Sequence, residues 1–112
     1  MINLTKDAVY VISGMIGDKT EYGIRVQKVD SCCSGLHFDL SFDKKKRQDK
    51  IIKKHSKINV FADRDTLAAM QHLTKNKIME PATIHFAKTR LGPQFLTENG
   101  RIRLNMWQHE IE

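Results

Sequence analysis

Two cysteines, two prolines and one tryptophan among 112 residues leave this chain little with which to staple, kink or anchor itself. The cysteines are adjacent, Cys32-Cys33, so they lay out no disulfide framework of the kind that supports small secreted domains. No apolar run approaches the roughly 20 residues that span a bilayer. The opening Met1-Ile2-Asn3-Leu4 lacks the basic and apolar regions of a secretory leader. A soluble, cytoplasmic protein without a membrane partner is expected. Also absent are a phosphate-cradling glycine loop, a Gly-x-Ser-x-Gly elbow, a His-Glu-x-x-His pair and any carboxylate pair identifiable from spacing. No enzymatic activity is therefore predicted; a thiol enzyme would need a histidine base within reach of Cys33, and no spacing supplies one. With no repeat or low-complexity segment, residues 1–112 read as a single domain, large enough for a core of its own.

Acidic residues are outnumbered, 13 against 19 Lys and Arg, and the excess is local. Lys44, Lys45, Lys46 and Arg47 are followed by Lys50, Lys53, Lys54 and Lys57. No aromatic residue is interleaved there for base stacking, which argues against a nucleic-acid footprint. The run reads as a solvated connection or, through Lys44, Lys45, Lys46 and Arg47, as a docking site for an acidic partner protein.

The hydropathy pattern predicts mainly strands. Tyr22, Ile24 and Val26 alternate with Gly23, Arg25 and Gln27. Leu36, Phe38, Leu40 and Phe42 alternate more cleanly with His37, Asp39 and Ser41, which places those three on the face away from the core. Between the two runs lies Ser31-Cys32-Cys33-Ser34-Gly35, whose hydroxyls and glycine read as a tight turn. A hairpin with the cysteines at its tip follows. A helix is predicted from about Thr5 to Met15, capped by Thr5, with Ala8, Val9, Ile12, Met15 and Ile16 as its apolar stripe. A second short helix, capped by Asp63 or Asp65, carries Leu67, Ala68, Met70 and Leu73. Short strands are predicted at Ile51-Ile52 and at 58–61, separated by the polar Lys53 to Lys57 stretch. Others are predicted at 83–87, at 94–97 after Gly92-Pro93, and at 102–106 after an Asn99-Gly100 turn. Short connections leave no room for crossover helices, which argues against a parallel α/β fold. The fold class is mainly β (α+β) with an amino-terminal helix and one short internal helix.

Taken in order, Leu4-Thr5-Lys6-Asp7-Ala8, Gly23-Ile24-Arg25-Val26, Cys33-Ser34-Gly35-Leu36, the strand ending at Phe42, Ile58-Asn59-Val60-Phe61-Ala62-Asp63 and Gly92-Pro93-Gln94-Phe95 resemble the A-type iron-sulfur cluster carrier, or HesB-like, family. The likeness spans nearly the whole chain. It implies a compact β-sandwich or flattened barrel of mixed sheets, with iron or an iron-sulfur cluster as cargo. Client apoproteins or proteins of the cysteine-desulfurase system are the implied partners, and a homodimer is compatible with it. One departure is plain. Members of the family carry a Cys-Gly-Cys pair near the carboxyl terminus that joins the first cysteine in holding metal; here the corresponding positions fall near Leu104 and Met106, which read as core-facing strand residues.

Clusters are normally held by four thiolates, with imidazole as an occasional substitute. One chain offers Cys33 and Cys32, and a two-fold dimer would double them. Consecutive side chains in extended backbone point opposite ways, however, so Cys32 reads as the small buried partner and Cys33 as the ligand or reactive thiol. An alternative set joins Cys33 to His37, four residues on, or to His109. His55, His72 and His85 read as structural, and Trp107 as cover for an edge of the core or an interface. Two functions stand at this point. The first is a divergent iron-sulfur carrier that binds iron or a cluster weakly through Cys33 at a subunit interface. The second is a metal-free interaction or regulatory module of the same fold, docking a partner through segment 44–57.

Overall fold

The computed structural model describes residues 2–19, 21–31, 35–90 and 92–104. In chain order the elements are β1 (Ile2–Leu4), α1 (Lys6–Ile16), β2 (Tyr22–Ser31), β3 (Gly35–Lys44), β4 (Lys50–His55), β5 (Ile58–Ala62), α2 (Arg64–Lys75), β6 (Ala82–Thr89), β7 (Gly92–Thr97) and β8 (Ile102–Leu104). Five strands form one sheet in the order β4-β5-β2-β3-β8, and three form a second in the order β1-β6-β7. Both sheets are mixed. The pairs β2–β3, β4–β5 and β6–β7 are antiparallel, while β1–β6, β2–β5 and β3–β8 are parallel.

Alternation creates the core. Ile24, Val26, Phe38, Leu40, Val60, Ala62 and Ile102 of the larger sheet join Ile2, Ala82, Ile84 and Phe95 of the smaller one and Ala8, Ile12, Met70 and Leu73 of the helices in one buried cluster. A strand whose alternate residues enter that cluster has its register fixed, because a slip of one residue would expose them all. Phe86 and Phe95, on adjacent strands, meet edge to face at 5.0 Å.

Both helices begin where a side chain satisfies an otherwise unpaired amide. Thr5 Oγ1 accepts from the Ala8 amide at 3.2 Å, and Asp63, the first of the two candidate caps, accepts from the Thr66 amide at 2.7 Å. Gly17 closes α1 at φ +56°, where a side chain would be strained. Thr66 is itself buried and accepts from the Lys28 amide at 3.1 Å, tying the start of α2 to β2 beyond the stretch where β5 pairs with it.

Two features differ from the sequence expectations, and one expectation falls partly outside the described residues. Ile2–Leu4 is a strand, formed by pairing with residues 82–84 rather than by any local pattern. Strand β4 continues through Lys53 and Lys54 to His55, so Ser56 and Lys57 alone make the turn to β5. Strand β8 is described only as far as Leu104; Met106, Trp107 and His109 lie outside the described residues.

Candidate functional site

The cysteine segment Cys32-Cys33-Ser34 lies outside the described residues, but both strands that bound it are described. They pair residue for residue from Tyr22↔Lys44 to Ser31↔Gly35, which makes them the two arms of one hairpin. Gly35 opens β3 at φ +74°, a conformation that favours glycine, and no atom of the described residues other than its chain neighbours lies within 4 Å of where its Cβ would be.

His37 is the first surprise of this region. Its strand position sets it opposite the core-facing Leu36 and Phe38, yet it is only 5% exposed. A cleft of about 530 Å³ lies between the start of β3, the segment before β6, and the β7–β8 connection, and its walls include His37, His85, Glu80, Glu98, Arg101 and Arg103. His37 Nδ1 stands 3.4 Å from the Gly35 carbonyl, and Nε2 stands 3.8 Å from Asp39 Oδ1. That carboxylate oxygen is buried and has no hydrogen-bond partner among the described residues. An imidazole nitrogen and an unsatisfied carboxylate oxygen thus face each other without a direct bond. Buried polar atoms are normally satisfied, and an unpaired one marks a place where a proton, water or ion fits.

The donors fit a metal only in part. No group of three or more His, Cys, Asp or Glu side chains among the described residues could hold a metal ion. His37 and Asp39 supply two donors, a nitrogen and an oxygen, and any thiolate would have to come from the cysteine pair.

The carboxyl-terminal segment is fastened to the same region. Arg101 Nη1 donates to the Leu36 carbonyl at 2.8 Å, and the Phe38 amide donates to the Arg101 carbonyl at 2.7 Å. Strand β8 then runs parallel to β3, with Ile102, Arg103 and Leu104 opposite Phe38, Asp39 and Leu40. Parallel pairing has a direction. Leu104 lies level with Leu40, five residues and about 16 Å beyond Gly35 at roughly 3.3 Å per residue. Leu104 packs against the core, as its apolar character led one to expect.

The basic run has an organisation that the sequence concealed. Its single acid, Asp49, is buried, and both its oxygens accept from Arg25 of β2, at 2.9 Å from Nη1 and 2.6 Å from Nη2. Arg25 Nε donates to Asp43 at 2.6 Å and Nη2 to the Lys44 carbonyl at 3.0 Å, while its guanidinium lies 4.9 Å over the Phe61 ring. Asp49 also accepts from the Lys46 amide at 2.7 Å. The Arg25 bonds hold the Asp49 carboxyl below the usual carboxylate range, against an opposing effect of burial. For Asp43 burial is the largest influence and pulls upward. The Arg25 bond, the Lys44 amide and nearby positive charge together outweigh it, so its net shift is also downward. Arg25 is held charged by Asp49 and Asp43 despite its burial. The consequence is a pinned loop. With Asp49 drawn inward, Lys44, Lys45, Lys46, Arg47 and Lys50 all remain exposed.

Of the remaining histidines, His55 Nε2 lies 3.5 Å from the Ile2 carbonyl and His72 lies beside Asn76, both consistent with structural roles. His85 instead joins His37 in the cleft. Only a three-dimensional arrangement could reveal that, since 48 residues separate the two in sequence.

No family model matches the chain, and no curated protein sequence matches it. Solved structures do. The crystal structure of Escherichia coli SufA, involved in biosynthesis of iron-sulfur clusters, aligns over 91% of this chain and 82% of that one at 15% identity, with a TM-score of 0.56. The crystal structure of IscA with the [2Fe-2S] cluster aligns over 89% and 83% at 17% identity, with a TM-score of 0.55. The chain therefore shares the fold of SufA and IscA.

Proposed function

We propose that this protein is a divergent carrier in iron-sulfur assembly, holding iron or a cluster through Cys33 and passing it to client apoproteins in the cytoplasm. The observation that carries the reading is the pairing of buried His37 with Asp39, two and four residues beyond Gly35, with one Asp39 carboxylate oxygen buried and unpaired among the described residues. The fold shared with SufA and IscA supports it. Cluster ligation calls for four donors, and two subunits that each contribute Cys33 and His37 about a two-fold axis reach that number with mixed sulfur and nitrogen ligands. Two thiolates and two imidazoles would hold a cluster less tightly than four thiolates, as suits cargo that must leave. The role is binding and transfer rather than catalysis, with sulfur supplied by a cysteine-desulfurase system.

The test is anaerobic expression with supplied iron and sulfide, followed by measurement of iron, acid-labile sulfide and visible absorption in wild type, Cys33→Ala and His37→Ala. Iron and sulfide that vanish with Cys33→Ala and fall with His37→Ala support the carrier. A colourless, metal-free wild type overturns it.

A second reading keeps the fold without the cargo and makes the protein an interaction module that docks an acidic partner through Lys44, Lys45, Lys46 and Arg47. It is favoured by the internalised Asp49, which leaves Lys44, Lys45, Lys46, Arg47 and Lys50 exposed with no exposed carboxylate between them. A metal-free wild type that binds an acidic protein through this loop would establish it.

A further inference from the structure

A groove of about 440 Å³ opens between α1, the end of β1 and the β4–β5 turn, far along β4 from the pinned basic loop. Half-buried Leu4 and Val9 give it an apolar base, and Lys6, Tyr10, Ser13, His55 and Ser56 complete its lining. Its volume lies within the range of about 300–1,000 Å³ found for pockets that hold compact ligands. Tyr10 is 82% exposed, the most exposed large apolar side chain among the described residues, on a helix whose other face supplies Ala8, Ile12 and Ile16 to the core. A tyrosine so displayed makes no contribution to packing within the chain. Tyrosine is enriched at the energetic centres of interfaces because it offers broad contact area at low conformational cost.

Charge decides what fits there. The lining contains no carboxylate among the described residues, and its ionisable groups other than the tyrosine are Lys6 and His55. Exposed Lys54 and Lys57 flank the His55-Ser56 corner, and Lys53 shares a strand face with His55 by alternation. An apolar floor with a basic rim is complementary to a segment that pairs apolar anchors with carboxylates.

We propose that this groove receives an acidic segment of a partner protein, seating an apolar side chain against Tyr10, Val9 and Leu4 while its carboxylates meet Lys6 and Lys57. The proposal is independent of the cargo reading and of the Lys44 to Arg47 loop. A second copy of the chain is a poorer occupant, since its own surface carries the same positive excess.

The probe is a labelled, acetylated ten-residue peptide of glutamates around a central Leu-Phe pair, titrated by fluorescence anisotropy. Saturable binding is expected, weakened about tenfold by Tyr10→Ala and comparably by Lys6→Glu with Lys57→Glu. It should fade as salt rises, and be absent when serines replace the Leu-Phe pair. Lys44→Glu with Lys46→Glu, at the other end of β4, should change affinity by no more than about twofold. Circular dichroism of each variant confirms folding, and Tyr10 is exposed enough that its removal opens no cavity. Absence of saturable binding overturns the proposal, as does binding that ignores Tyr10 and follows the 44–47 loop. A Tyr10-dependent dimer in sedimentation would also overturn it, by giving the groove to a second copy.

Discussion

The Arg25 guanidinium grips the Asp49 carboxylate through two parallel bonds, Nη1 to Oδ1 at 2.9 Å and Nη2 to Oδ2 at 2.6 Å, across 24 residues of sequence. The fork matches the carboxylate in geometry, which makes this the strongest class of charged hydrogen bond. It closes the basic loop between β3 and β4 onto the sheet that carries the hairpin.

Removing Asp49 strands a buried cation with only half of its partners. Asp49→Ala is expected to cost about 3 kcal/mol of unfolding free energy. Asp43→Ala should cost about 1 kcal/mol or less, since that carboxylate is 42% exposed and solvent screens it. Urea denaturation of the two variants checks the ranking, and equal costs would refute it.

Acid should undo the same contact. Both carboxyls titrate below the ordinary 3.8 in the folded chain, so their contribution is complete above that value. It drains away as the pH falls through the depressed folded values, because the unfolded state then binds more protons. Arg25 is shifted upward, so its contribution is constant through the acid range and is lost only at extreme alkalinity. Thermal unfolding between pH 5 and 2 should therefore show an acid limb that flattens in Asp49→Asn.

Gly23 is a steric requirement. A Cβ there would sit 2.5 Å from the Asn59 carbonyl oxygen and 2.8 Å from Phe61 Cε2, where β2 and β5 run side by side. Gly23→Ala is predicted to cost about 2 kcal/mol through overpacking. Displacement of Phe61 from beneath Arg25 should appear as shifted aromatic resonances.

Placing a thiol in β8 should not create a ligand. In Leu104→Cys the new sulfur lies along β3, well beyond the start of the hairpin arm, so iron content should equal that of wild type. Stability should fall by about 1 kcal/mol from lost packing. A gain in iron would show that the tail can return to the cysteines.

Much of this architecture was legible from side-chain alternation alone. Leu36, Phe38, Leu40 and Phe42 announced β3, Thr5 and the apolar stripe announced α1, and Asn99-Gly100 marked the turn into β8, where Asn99 Oδ1 accepts from the Arg101 amide. What escaped depended on distant partners. Strand β1 is three residues long and owes its form to residues 82–84. The lysines of β4 concealed how far the strand predicted at Ile51-Ile52 continues, because at the edge of a sheet both faces can stay polar, and charged residues there discourage further pairing. Arg25 looked like an ordinary outward residue of β2. The hint lay in Asp49, the lone acid in a run of cations, which had to be repaid by a cation elsewhere. His37 was expected on the outer face; it is buried beside a cleft that it shares with the segment before β6 and the β7–β8 connection, a neighbourhood no local pattern can foretell.

The three parallel pairings have a consequence for biogenesis. Ile2 must wait for Ala82, Phe38 for Ile102 and Ile24 for Val60. Contacts so remote in sequence slow folding, because loop-closure entropy is spent before they form. During synthesis at roughly 5–20 residues per second, β1 would leave the ribosome several seconds before its mate exists. The antiparallel β2–β3 hairpin can zip early, so the newborn chain would hold the two strands that flank Cys32-Cys33 while half of its final framework is still unmade.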